Sequence, residues 1–310
     1  MNGLELSKKY YERFGRQMLE TGFPELIEKL AVGYVGSGSD RYGFDDEISR
    51  DHDFEPGFCI FLPDEDVIDR RTEFQLERAY AKLPKEFEGV KRQGISAVGG
   101  NRNGPKRISE FYLSATGSPD GELSVGQWLH IPSYALAEAT NGEVFFDGLG
   151  EFTKIREKLK NMPEDVRLKR ISGNLLLMAQ SGQYNFVRCL KHGETEAATL
   201  AGFEFVKASL NVLFLLKKKY MPYYKWSFRA LRQTEEYKEI ANTLSFIIQG
   251  ADGYEEKYDA IESAASFVIG ELQNYGMTKA ICGDLEKHAY SVNDSISDGE
   301  IRNLHILDAV

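Results

Sequence analysis

Two short apolar runs constrain this chain more than any other feature, because of what is attached to each. Leu30–Val35 stops at Gly36-Ser37-Gly38-Ser39, and Phe58–Leu62 is entered from Asp51-His52-Asp53 through Glu55-Pro56-Gly57. Apolar runs of this length, punctuated by glycine and proline, read as strands. A Gly-Ser turn after the first strand offers backbone N–H groups and a hydroxyl to phosphate oxygens. Entering the second strand, alternate residues share a face, so the carboxylates of Asp51 and Asp53 point the same way. Two such carboxylates, with no cluster of Cys or His, form a hard-oxygen site suited to Mg²⁺. Either motif alone is weak, since Gly-Ser turns and Asp-x-Asp pairs are common on surfaces. Their joint occurrence, in this order and each on an apolar run, is far more specific.

The rest of the chain fits two domains. A length of 310 residues exceeds one average domain. Apolar spacing over 4–30 predicts helix with a break at Pro24, and Asp64-Glu65-Asp66 predicts a helix start running to about Leu83. Gly94–Gly104 reads as a loop, and the alternation Arg107–Leu113 as a third strand. A short helix is expected over Ser124–Leu136 and a further short strand over Val144–Gly148. From Phe152 the pattern is helical throughout: 152–160, 164–190, 194–220, 232–249, 254–274 and 276–290. The expected architecture is α+β, a mixed sheet with flanking helices over 1–150, followed by an all-helical substrate-binding domain over 151–310.

Charge narrows the partners. The net charge of −10 argues against a general nucleic-acid binder, whose phosphate contacts need clustered Lys and Arg. Residues 1–150 hold 17 bases and 26 acids, 151–232 hold 16 and 7, and 233–310 hold 5 and 15. A basic middle between acidic ends suits a local anionic ligand such as a nucleoside triphosphate, although ordinary helix surface gives the same pattern. The longest apolar approach, Leu210–Leu216, ends in Lys217-Lys218-Lys219, so no membrane span is expected. The N-terminal residues lack a signal-peptide core, and Cys59, Cys189 and Cys282 are widely spaced. Both point to a cytoplasmic protein with reduced thiols.

The strand–Gly-Ser–Asp-x-Asp arrangement over 30–62 resembles the nucleotidyltransferase superfamily of DNA polymerase β. The helical second half is similar to its kanamycin and aminoglycoside nucleotidyltransferase branch, in stretches such as Gly142–Asp147 and Lys219–Trp226. The resemblance implies a Mg²⁺-dependent enzyme, with one or two ions, that moves a nucleoside monophosphate from ATP or another triphosphate onto a small-molecule hydroxyl or amine. It implies Gly36, Ser37 and Ser39 on the phosphates, and Asp51 and Asp53 on the metal. A third acid should come from a neighbouring strand, and Glu110 fits best, ahead of Asp147 or a loop acid among Asp40, Asp45, Asp46 and Glu47. Lys225, after the Pro222 bend, matches a basic residue over the phosphates, with Arg156 behind it. Gln183–Phe186 and Glu204 are candidates for the acceptor pocket. His52 departs from the apolar residue usual between the two acids. A His-Asp phosphohydrolase needs further helical ligands, and His130, His192, His288 and His305 lack that spacing. A protein acceptor, or a nucleotide-binding protein without turnover, are the alternatives.

Overall fold

The computed structural model of the chain describes residues 1–48, 54–92, 102–249 and 253–310. Its packing forms two compact units, one of Met1–Glu122 with Ala135–Asn161, the other of Leu123–Tyr134 with Met162–Val310.

In the first unit, the two apolar runs are strands β1 (Ala31–Tyr34) and β2 (Cys59–Leu62), and every residue of both is buried. They pair antiparallel, with Val32 opposite Ile60. A two-stranded ribbon, β3 (Glu86–Phe87) with β4 (Val90–Lys91), lies outside this sheet. Strand β5 (Gly104–Arg107) runs parallel to β2, and β6 (Glu143–Asp147) runs antiparallel to β1, giving the order β5-β2-β1-β6. The N-terminal helices α1 (Gly3–Tyr10) and α2 (Arg16–Gly22) join through a π turn at Tyr11–Gly15. Tyr10, Leu19, Leu30, Val32, Phe58, Ile60 and Leu76 form one core cluster with helix α3 (Arg70–Ala81). That helix starts at Asp69, whose carboxylate caps the Thr72 N–H at 2.8 Å, not at Asp64 as its acids suggest. Cys59 is core, as its apolar neighbours imply.

The expected strand over Arg107–Leu113 is corrected. The chain leaves β5 at Arg107 and turns at once into helix α4 (Ile108–Thr116), closed by Gly117 at φ +76°. Ile108, Tyr112 and Thr116 are buried at four-residue spacing, so the apparent alternation is one face of a helix. Glycine in the left-handed C-terminal position was the overlooked stop signal.

The remaining helices of the first half are α5 (Val125–His130) and α6 (Ser133–Thr140), divided at Pro132, and α7 (Glu151–Lys160). The second unit is built on α8 (Glu164–Met178), which is buried from Val166 to Leu176. A π segment, Ala179–Phe186, carries it into α9 (Val187–Lys191). Around it are α10 (Thr195–Leu216), α11 (Tyr224–Leu231), α12 (Lys238–Gln249), α13 (Tyr254–Asn274), α14 (Leu285–Asp294) and α15 (Gly299–Asn303). Helix α10 is long and apolar enough to cross a membrane, yet buries Phe205, Val212 and Leu213 completely, as a core helix does.

Candidate functional site

The Gly36–Ser39 turn leaves the end of β1 with Gly36 at φ +112° and Gly38 at φ +117°, a region that side chains rarely adopt. Its underside is fixed by residues from distant parts of the first unit. Asn141 accepts the Gly36 N–H at 2.9 Å and donates to the Gly36 carbonyl at 2.7 Å. Arg156, itself buried, donates to the Asn141 and Gly142 carbonyls at 2.5 and 3.0 Å and so holds that clamp. On the other side, Arg102 donates to the Ser37 carbonyl at 2.7 Å and to Asp40 at 2.8 Å. The Tyr34 hydroxyl also donates to Asp40, which is 2% exposed. Burial, with the Asp40 charge beside it, holds the Tyr34 phenol well above its ordinary pKa, so it stays a donor. The Arg41 guanidinium lies 3.2 Å from the centroid of the Tyr34 ring and donates to Asn103 at 2.8 Å.

With its carbonyls held from below, the turn presents donors on its other side. Ser37 is exposed, and Gly38 and Ser39 are half-buried. Among the described residues, no acceptor takes the N–H groups of Ser37, Gly38 or Ser39. The Gly36 N–H is taken by Asn141, and its positive φ lets the chain turn there.

The other candidates separate. Asp51, His52 and Asp53 lie outside the described residues. Glu110 stands in the first turn of α4, exposed and paired with Arg70 at 3.2 Å, and not on a strand. Strand β5, the neighbour of β2, reads Gly-Pro-Lys-Arg and carries no carboxylate. Asp147 is occupied in capping α7, taking the Gly150 N–H at 2.9 Å and the Thr153 N–H at 2.7 Å. Of the loop acids, Asp40 is committed to Tyr34 and Arg102, and Asp45 accepts the Gly3 N–H at 3.1 Å. Among the described residues, no three His, Cys, Asp or Glu side chains converge as a metal site.

Lys225 lies exposed in the first turn of α11, in the second unit. Gln183, Tyr184 and Asn185 line a cavity of about 630 Å³ in that unit, whereas Glu204 lines a separate one of about 290 Å³ and Phe186 is core. Sequence reasoning missed Asn141 and Arg102, and named Asp40 only as one of several loop acids. The first lies between the expected helix over Ser124–Leu136 and the expected strand over Val144–Gly148, and the second near the end of the expected Gly94–Gly104 loop. A further acid, Glu138 on α6, is half-buried, and burial raises its pKa against the opposing charge of Arg102.

Residues 128–227 match a family described as a domain of unknown function, DUF4037. The matched stretch contains neither the Gly36–Ser39 turn nor the Asp51 and Asp53 pair. The crystal structure of a nucleotidyltransferase-like protein from Exiguobacterium sibiricum 255-15 is similar to this chain at 11% identity, over 92% of this chain and 81% of that one, with a TM-score of 0.39. No curated protein matches it.

Proposed function

We propose that the chain is a Mg²⁺-dependent nucleotidyltransferase that moves a nucleoside monophosphate, AMP from ATP, onto a hydroxyl or amine of a small-molecule acceptor. The observation that carries this reading is the Gly36–Ser39 turn, rigid below and rich in unengaged donors above. Ser37, Gly38 and Ser39 supply N–H groups, and the two serines supply hydroxyls, to oxygens of a polyphosphate. Asp40 is committed to Tyr34 and Arg102, and the metal is assigned to Asp51 and Asp53, whose hard oxygens suit Mg²⁺. Bound there, the ion would offset charge on the triphosphate and on the departing pyrophosphate. The protein's own share is positioning and fixed dipoles, which act without reorganisation during the reaction. Lys225 is proposed as a phosphate contact. Charge-assisted hydrogen bonds contribute about 1.5–3 kcal/mol, so Lys225→Ala should slow transfer by roughly 10- to 100-fold while Lys218→Ala leaves it nearly unchanged.

The missing carboxylate on β5 favours a second reading, a nucleotide-binding protein without turnover. Transfer of labelled AMP from ATP carrying its label on the α-phosphate to a panel of small hydroxyl and amine acceptors separates the two. Asp51→Asn and Asp53→Asn should each abolish transfer with little change in melting temperature. Calorimetry should find ATP bound weakly in EDTA and more tightly with Mg²⁺. ATP binding without transfer to any acceptor selects the second reading, and unaltered transfer by either variant removes the metal assignment.

A further inference from the structure

Helix α11 and the segment leading into it concentrate positive charge. From Lys217 to Thr234 the chain holds six bases, Lys217, Lys218, Lys219, Lys225, Arg229 and Arg232, and no acid. Two of them are engaged, since Lys217 pairs with Glu236 at 3.5 Å and Lys218 with Glu164 at 3.6 Å. Among the described residues, no carboxylate forms an ion pair with Lys219, Lys225 or Arg232. Lys225, Arg229 and Arg232 follow at i, i+4 and i+7 and so share one face of the helix, and all three are exposed. Ser227 and Leu231, which point the other way, are buried.

The N-terminal end of the same helix adds aromatic rings. Tyr223 and Tyr224 have ring centroids 4.4 Å apart, and Tyr134 meets Tyr223 edge-on at 5.6 Å. All three belong to the second unit. Tyr134 is 42% exposed, Tyr223 40% and Tyr224 67%. Aromatic rings usually contribute by being buried, so a touching set left in water is surface open to a partner.

We infer that this face of the second unit binds single-stranded nucleic acid, with phosphates on the α11 cations and a base stacked on Tyr224. A single strand offers both features at once, phosphate charge along its backbone and an open ring face at every base. A duplex hides its ring faces and would use the cations alone. An acidic peptide has the charge but no regular planar partner for the tyrosines. An anionic lipid surface would need apolar side chains to insert, yet Leu231 is buried and Trp226 and Phe228 are half-buried. The net charge of −10 limits the contact to this local face, which suits a short stretch of strand and not a wrapped polymer. This goes beyond the nucleotide reading and does not rest on it, although Lys225 is common to both.

The test is fluorescence anisotropy with the full chain and a labelled RNA strand of mixed sequence, about ten nucleotides long. At about 50 mM KCl the strand should bind, and log affinity should fall with log salt at a slope of about −2, as about three phosphate contacts give. Tyr224→Ala should weaken binding roughly 5- to 100-fold, whereas Tyr224→Phe should keep it, because stacking needs the ring and not the hydroxyl. Arg232→Gln should weaken binding and make the slope shallower by about 0.7. Lys91→Ala, at an exposed position of the first unit, should change nothing. All of these side chains are exposed, so the variants should fold as the unaltered protein does. If the same strand annealed to its complement bound as tightly, or if Tyr224→Ala bound normally, the face would be a plain cationic patch and the assignment would be overturned. Binding to phosphatidylserine vesicles without binding to RNA would give the face to lipid and overturn it too, as would no RNA binding at low salt.

Discussion

Arg107, at the end of β5, and Arg170, on α8, are both buried, at 2% and 7% exposure, but their surroundings differ. Arg107 donates to Glu73 from Nε at 3.1 Å and Nη2 at 2.7 Å, and to the Pro63 and Ile68 carbonyls, both at 2.7 Å. Every polar atom of its guanidinium is used, and its charge faces a buried carboxylate. Among the described residues, Arg170 reaches only neutral oxygens, and its Nε reaches none. The first arrangement is a closed piece of scaffold, linking β5 to α3. The second leaves a buried charge balanced only by neutral dipoles, at a cost that the rest of the fold must offset. Burial of an arginine is therefore not informative until its partners are counted.

The largest expected effect lies on the closed side. Glu73→Ala leaves Arg107 buried with an uncompensated charge, and removing one member of a buried pair typically costs about 3–5 kcal/mol. Urea denaturation should register that loss. A cost under about 1 kcal/mol would mean that Arg107 is held by its carbonyl contacts, and the contrast with Arg170 would shrink to geometry.

A smaller effect is expected at the turn itself. Gly38 sits at φ +117°, and a Cβ there would lie 1.9 Å from Arg102 Nη2 and 2.3 Å from Asp40 Oδ1. Gly38→Ala should destabilise by roughly 1–3 kcal/mol through backbone strain, and should push apart the Arg102–Asp40 pair that holds the turn. Nucleotide affinity should fall with it, read by calorimetry with Mg²⁺ present. Normal affinity in a destabilised Gly38→Ala protein would detach the turn from the nucleotide.

What the sequence made legible follows the range of the interactions involved. Strands β1 and β2, the turn between β1 and the acids, and the short strand near 144 are encoded locally, in apolar runs and punctuating glycines. Helix α4 was misread because Ile108 and Tyr112, four residues apart, fit both a two-residue period and one helical face over so short a span. The deciding residue was Gly117, beyond the window. The π segments at Tyr11–Gly15 and Ala179–Phe186 leave no local trace, since each only widens a turn inside a continuous helical pattern. The supports of the turn are harder still. Asn141 reaches Gly36 across 105 residues and Arg102 reaches Ser37 across 65, so neither can be paired from one sequence without its fold. Arg156, named from the sequence as a weaker candidate for phosphate, donates to the Asn141 and Gly142 carbonyls, contacts that only the fold brings together.

The smallest effect comes from a case intermediate between the two arginines. Arg167 lies three residues before Arg170 on the same helix and is buried, but it reaches Glu164, whose side chain is 53% exposed, and the Leu215 carbonyl at 3.0 Å. The hydrogen bond from Arg167 leads the causes that hold the Glu164 carboxyl below its ordinary pKa, opposed by some burial. A carboxylate depressed in the folded state adds stability above its unfolded pKa, with a reference value of 4.5, and loses it as pH falls through the lower folded value. Because Glu164 is half in solvent, the contribution should be no more than about 1 kcal/mol. Glu164→Gln should accordingly be slightly less stable than the unaltered protein at neutral pH, and the difference should fade in increasingly acidic buffer. High salt should narrow it too, since exposed pairs are screened. A difference that persisted unchanged at acid pH would mean that Glu164 acts through packing and not charge. Arg167 would then stand with Arg170 as a second buried guanidinium without effective compensation.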